Sequence, residues 1–354
     1  MTRATLIGLL FLQATGCDSS AVDTQQHVYP DEEWVVVDNP NEYGFDEAKL
    51  ASAMEYADQI GSAAVMVVHD GNLVLEWGDT KTKYLTHSTR KSFASAAFGK
   101  YVANGTIDLD MTLAELGIDD YTPLTALEKT ATIRQCLEAR SGVYLSAVAE
   151  SQARQDAKPA RGTYSPGEYW LYNNWDFNVL GTIFEQLTGK TLFQAILEDV
   201  GQPIGVESFR AEDDRTYTNS RSRHAAYMFV ISARDMARFG LLFERNGKWK
   251  DEQVIPKNWV EESTSYRSSA AIYGLDGYGY MWWVASSEDP NPNLPNADIP
   301  HGSFSARGYG GHYIMVIPEY DLVVVNRVNT FVEGYWVTEG EFGSLMTRIM
   351  EARL

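Results

Sequence analysis

The hydrophobic period of this 354-residue chain changes twice, and that change constrains the fold more than any single residue. Ala63-Ala64-Val65-Met66-Val67-Val68-His69 and Leu73-Val74-Leu75-Glu76-Trp77 flank Asp70-Gly71-Asn72, a hairpin signal. From about residue 106 to 265 the pattern is mostly helical, clearest over 176–188, 191–199 and 232–245. Strand character then returns in Tyr278 to Val284, His312 to Ile317 and Leu322 to Val325, with Pro318-Glu319-Tyr320-Asp321 as the last turn. Helical spacing marks 46–60 and the segment from about Glu339 to Arg353. Strands at both ends of a helical middle fit one arrangement economically. It is an α+β fold with an antiparallel sheet flanked by helices and an inserted all-helical lobe. The sheet lobe is expected from about 45–100 plus 266–354, and the helical lobe from about 101–265. Together they form a single domain over 45–354, behind a tether and N-terminal extension at 18–44.

Residues 1–17 read as a signal peptide. Arg3 supplies a positive charge, Leu6 to Leu12 a short apolar core, and Ala14-Thr15-Gly16 a small-residue cleavage region before Cys17. The apolar run is too short to span a bilayer. Cysteine directly after the small residues resembles a bacterial lipobox. That resemblance implies lipidation of Cys17 and a lipid-anchored protein on the periplasmic side of the cell envelope. An ordinary secretory signal with a coincidental cysteine, or an unremarkable apolar N-terminus, is the alternative. The second of the two cysteines, Cys136, lies in an apolar helical pattern and reads as a buried, inert thiol. A formal net charge of −19 argues against nucleic acid as a partner. The six histidines include no H-x-x-x-H pair, so a metal site is not expected. Oligomeric state is left open.

Three constellations carry chemistry. Ser88-Thr89-Arg90-Lys91 sets a serine and a lysine three apart at the start of a small-residue helix, where they share a face. A desolvated lysine can take the proton of a serine hydroxyl and make it a nucleophile. An exposed Ser/Lys pair is the plainer alternative for the tetrapeptide alone. Next, Ser165-Pro166-Gly167 leads through Tyr172-Asn173-Asn174 into a helix. Tyr172 can serve there as general base and acid, with Asn174 positioning lysine or substrate; a packed tyrosine and a capping asparagine are the alternative. Third, the small-residue run from His301 to His312 allows close approach to its backbone. One N–H from it, with Ala306 as the expected donor, can join the Ser88 N–H in an oxyanion hole. A plain glycine turn is again the alternative. Trp170, Trp175 and Tyr309 are candidate aromatic walls of the cleft, or ordinary packing.

The order S-x-x-K, Tyr-x-Asn and a small-residue strand resembles the serine β-lactamase/penicillin-binding-protein superfamily. The likeness is nearest its class C β-lactamase-related esterases and 6-aminohexanoate-dimer-hydrolase-like amide hydrolases. It extends over roughly 45–350, including Ala131 to Val143, the Ser232-Ala233-Arg234-Asp235-Met236-Ala237-Arg238-Phe239-Gly240 helix, and Gly308 to Pro318. The resemblance implies a β-lactamase/transpeptidase-like fold. It also implies Ser88 as acylated nucleophile, Lys91 as its proton acceptor or electrostatic partner, and Tyr172 as base and acid. The expected activity is hydrolysis of a small-molecule ester or amide through an acyl-enzyme, chemistry that calls for no cofactor. One departure matters: the family's Lys-Thr-Gly strand is represented by Ser303-Phe304-Ser305 or His301-Gly302-Ser303, without lysine. Arg307 is the residue available to compensate. A penicillin-interactive D-Ala-D-Ala peptidase or weak β-lactamase is therefore the second reading. A non-catalytic envelope binding protein is the reading from another class.

Overall fold

Asp70 and Gly71 both take positive φ, 44° and 77°, the pattern that closes the tightest hairpins. They join β1 (Ala64–His69) to β2 (Asn72–Gly78), paired antiparallel. The computed structural model describes Met1 and residues 27–354; Cys17, the signal segment and most of the tether lie outside the described residues. Six further strands complete the sheet: β3 (Ser268–Ser269), β4 (Gly277–Tyr278), β5 (Trp283–Val284), β6 (Phe304–Gly308), β7 (His312–Ile317) and β8 (Leu322–Arg327). Across the sheet the order is β2-β1-β8-β7-β6-β5-β4-β3, antiparallel throughout. The N-terminal hairpin therefore pairs with the last strand, Ala64 opposite Arg327 and His69 opposite Leu322. The two ends of the chain build one sheet, as the period change predicts.

Both faces of that sheet are covered, which explains why its central strands are almost unbroken apolar runs. Val65, Val67, Met315 and Val324 face a layer containing α1 (Glu47–Gln59) and α5 (Glu339–Glu351). Ala64, Met66, Val68, Ile314, Val316, Val323 and Val325 face the other layer, with α2 (Arg90–Ala103), α3 (Asn174–Thr188) and α4 (Ala233–Glu244). Successive residues alternate between the two cores, as a period of two requires.

The structure departs from the sequence reading in three places. Helix α4 falls within the expected helical lobe but packs on the sheet. Gly240 is the reason: a Cβ there would lie 2.4 Å from Val323 Cγ1 and 3.0 Å from Ile314 Cγ2, so only glycine allows this approach. The run Tyr278 to Val284 is two short strands, β4 and β5, rather than one. Met281 takes φ 63°, and a Cβ on Gly279 would lie 2.3 Å from the Ser263 carbonyl oxygen. The bend is locked by Gly279 N–H donating to Trp282 O at 2.8 Å and Tyr280 N–H to Ser263 O at 2.9 Å. Finally, the inserted segment carries helices together with two short hairpins, Tyr217–Asn219 with Ser222–Ala226 and Lys248–Trp249 with Glu252–Gln253. Residues 138–173 are mostly loop, broken by Gln152–Asp156. Cys136 is fully buried and unpaired, and burial pushes its thiol well above the ordinary range.

Candidate active site

Ser88 sits in a short 3₁₀ turn, His87–Thr89, that runs directly into α2. Two features fix that turn. The Thr89 hydroxyl donates back to Thr86 O at 2.7 Å, and the Thr86 hydroxyl donates to Phe229 O at 3.0 Å. His87 takes φ 47°, a left-handed conformation that non-glycine residues adopt at a cost, immediately before the serine.

Lys91 enters in the first turn of α2 and is almost completely buried. Its Nζ lies 2.9 Å from Ser88 Oγ, 2.6 Å from the Tyr172 hydroxyl and 2.9 Å from Asn174 Oδ1. The floor beneath it is aromatic, with ring centroids of Tyr172 and Phe177 at 4.1 and 4.5 Å. Desolvation drives the Lys91 pKa well below 10.5, Arg90 and Arg154 push the same way, and Glu150 opposes them. Burial raises the Tyr172 phenol, against its bond to Ser88 and the charges of Arg154 and Arg90. Burial favours a neutral amine beside a neutral phenol. Hydrogen-bond capacity then matches the geometry. Two amine N–H groups serve Asn174 Oδ1 and the Tyr172 oxygen, and the third position of the nitrogen faces Ser88 Oγ at 2.9 Å.

The Tyr172 and Asn174 side chains are held by separate means. Tyr172 stacks on Trp283, with centroids 5.5 Å apart and planes at 26°, and meets Tyr278 edge-on. Asn174 opens α3, yet the capping residue is its neighbour: Asn173 Oδ1 accepts from Trp175 N–H at 3.3 Å. That leaves the Asn174 side chain free to accept from Lys91 and to donate to Ala149 O at 3.1 Å. Asp176 anchors the same corner. It accepts from the Ser141 hydroxyl at 2.5 Å and from Asn173 Nδ2 at 2.7 Å, and burial raises its pKa to about 7. The loop at 140–143 is thereby tied to the start of α3.

Ser88, Tyr172 and Asn174 line a cavity of about 740 Å³, with Lys91 just beneath its wall. The far wall is the end of β6 and the turn after it, Arg307 to Gly311. Gly308 lies against the Ser88 turn; a Cβ there would be 2.8 Å from Thr86 O. Ala306, the expected oxyanion donor, does not reach this wall. It pairs with Ile314 inside the ladder and is fully buried. The strand continues through Gly308 before turning, so the backbone edge at the cavity lies two to three residues further on than expected. Trp170 and Trp175 are likewise core residues, the latter donating to Asp120 Oδ2 at 2.8 Å, whereas Tyr309 does line the cavity. Arg307 is buried and committed: Nε donates to Ser305 Oγ at 2.9 Å and Nη2 to Asn293 O at 2.7 Å. Its guanidinium also covers the Trp283 ring at 5.0 Å.

Sequence reasoning missed His87, Arg90, Arg154 and Trp283, all close to Ser88 or Tyr172. His87 and Arg90 flank the serine, so adjacency was an available signal. Arg154 is brought in by the long loop, and no periodicity announces it. Among the described residues, no group of three His, Cys, Asp or Glu side chains is arranged to hold a metal ion.

Comparison with known proteins agrees with the fold. The family model described as Beta-lactamase matches residues 47–340. An uncharacterised protein of Alkalihalophilus pseudofirmus is 25% identical over 299 residues, 76% of this chain and 84% of its own length. Among solved structures, a protein assigned as a 6-aminohexanoate-dimer hydrolase from Bacillus anthracis superposes with a TM-score of 0.62 at 19% identity, covering 92% of this chain and 88% of that one. EstCE1, a hydrolase with promiscuous acyltransferase activity, superposes with a TM-score of 0.61 at 17% identity, covering 86% and 97%.

Proposed function

The chain belongs to the beta-lactamase family, and from that premise we propose a serine hydrolase of small esters or amides that works through an acyl-enzyme at Ser88. The observation that carries the reading is the position of Lys91 Nζ, within hydrogen-bond reach of Ser88, Tyr172 and Asn174 at once. Ser88 Oγ attacks the substrate carbonyl while its proton passes to the neutral Lys91 amine. Tyr172 gives its hydroxyl proton to the leaving oxygen or nitrogen and regains one from the Lys91 ammonium. Water then attacks the acyl-enzyme, giving up its proton along the same relay in reverse, and Ser88 is released. The Ser88 N–H is one oxyanion donor. The Tyr309 N–H replaces that of Ala306 as the second, because Tyr309 is the first residue beyond β6 at the cavity wall.

Two facts favour an ester or small amide over a penicillin-directed activity. The segment 301–308 offers no lysine, and Arg307 directs Nε and Nη2 to Ser305 and Asn293 and holds Nη1 3.6 Å from Glu339. The proposal includes a lipid anchor at Cys17 in the bacterial cell envelope; it rests on the N-terminal sequence alone, and loss of membrane retention in Cys17→Ser tests it. For the chemistry, the test compares a short-chain p-nitrophenyl ester with a chromogenic cephalosporin, using Ser88→Ala as control. Ester turnover that disappears in Ser88→Ala, with little cephalosporin turnover, is expected. Cephalosporin preference would return the peptidase/β-lactamase reading. Absence of turnover and of any Ser88 adduct would favour a binding protein.

A further inference from the structure

The charge of this chain and the charge of its cavity have opposite signs. Net charge is −19, yet three of the five charged residues that line the cavity are arginines. Each lining glutamate is answered by a cation: Glu150 pairs with Lys158 at 2.9 Å with both side chains buried, and Glu339 faces Arg307 at 3.6 Å. Arg90 is buried, donating to Asn178 Oδ1 at 3.0 Å and lying over Tyr227. Arg154 differs from both other arginines. Unlike Arg90 it is exposed, and unlike Arg307, which faces Glu339, it has no carboxylate within ion-pair distance among the described residues. Its guanidinium carbon stands 5.1 Å from the Tyr172 ring centroid and 6.0 Å from that of Tyr273. Two aromatic faces thus hold a solvent-accessible guanidinium beside the reacting groups without neutralising it.

We propose that Arg154 is a specificity residue that binds an anionic group of the substrate, so that the preferred ester or amide carries a carboxylate or similar anion near the scissile bond. The inference rests on the serine-hydrolase reading and adds the substrate class. A guanidinium is suited to this role because it is always charged and pairs with carboxylate in a two-point geometry. Arg307, the candidate the sequence offered for this duty, directs Nε and Nη2 to Ser305 and Asn293, and its charge is already answered by Glu339 at 3.6 Å. A cationic substrate is disfavoured by the same field, since no lining carboxylate is left uncompensated.

The test measures kcat/KM on paired esters. On the acyl side, mono-p-nitrophenyl glutarate is compared with p-nitrophenyl pentanoate; the two differ by a terminal carboxylate against a methyl. On the leaving-group side, 3-carboxy-4-nitrophenyl butyrate is compared with p-nitrophenyl butyrate. Wild type, Arg154→Lys, Arg154→Gln and Arg154→Glu are assayed in parallel. Because Arg154 also lowers the Lys91 pKa, some loss common to all esters is expected in the last two. The readout is therefore the anionic-to-neutral ratio, in which that shared loss cancels. In at least one pair, the ratio should fall roughly ten- to a hundredfold in Arg154→Gln, as for a lost charge-assisted bond. It should fall further in Arg154→Glu, recover in part in Arg154→Lys, and shrink with added salt. Ratios unchanged in both pairs, with Ser88-dependent turnover intact, would overturn this inference alone. No Ser88-dependent turnover of any ester would overturn the hydrolase reading and this inference together.

Discussion

On one face of the sheet, α1 and α5 enclose Phe45, Leu50, Phe342, Leu345 and Ile349, all essentially inaccessible to solvent. Tyr313 and Phe342 stack there 3.9 Å apart. Asn326, also buried, is neutral and paired at both ends of its amide, accepting from Ser62 Oγ and donating to Gly311 O, each at 2.7 Å. The other layer is built on different terms. Packed among Phe93, Phe177 and Trp282 are Arg90, Lys91, Asn174 and Asp176, each at 8% exposure or less. Burial drives Lys91 toward its neutral form and raises Asp176 to about 7. Buried groups of this kind destabilise a fold unless fully partnered, so their clustering around Ser88 marks where chemistry outranks stability.

That contrast is exposed by substitutions that should break one layer and spare the other. The largest effect is expected from Lys91→Ala. It should lower kcat on the ester roughly 10²- to 10⁴-fold, the range for removing a positioned acid–base group, while circular dichroism retains the native spectrum. In the wild type, activity should fall on the acid side as the Lys91 amine protonates, at a pH well below the ordinary lysine value. Activity near wild type in Lys91→Ala would remove the amine from the mechanism. Leu50→Ala on the other face should do the reverse. Urea unfolding should report a loss of about 2–5 kcal/mol, while the folded fraction turns over ester at the wild-type kcat. A parallel drop in kcat would mean that the two layers are not separable.

The smallest effect concerns His87. Burial, Arg327 and Arg90 lower its pKa to about 4, from 6.5 in the unfolded chain. The unfolded state therefore binds its proton first. The stability associated with neutral His87 is complete above pH 6.5, is lost as pH falls from there, and stops changing below about 4. His87→Asn, which tolerates the positive φ at this position, should flatten the decline in melting temperature between pH 6.5 and 4. An unchanged slope would assign that acid sensitivity to other groups, His312 and His224 included, whose pKa values are also lowered.

The sheet was legible because its signals are local and repeated. An Asp-Gly turn, alternation into two cores and strands at both ends of the chain together specify β1, β2, β7 and β8. Helix α4 was legible as a helix but not as a sheet neighbour, since that depends on Gly240 meeting Val323 across a long stretch of sequence. Ser88, Lys91, Tyr172 and Asn174 could be nominated because their spacings follow helix geometry and a recurrent motif order. The Ala306 assignment fell short because the end of a strand is set by where its partner turns, and Gly310 and Gly311, at φ 87° and 101°, turn later than the small residues suggest. Arg154 carries no pattern at all. It reaches the cavity through a loop whose path is set by tertiary bonds such as Asn174 Nδ2 to Ala149 O.

The most direct test of the central claim is covalent. The protein is treated with a fluorophosphonate, and the adduct is located by intact mass and peptide mapping. A single adduct is predicted on the peptide containing Ser88, absent from Ser88→Ala and formed far more slowly in Lys91→Ala. Labelling that persists in Ser88→Ala, or no labelling of a protein that hydrolyses the ester, would contradict the acyl-enzyme mechanism.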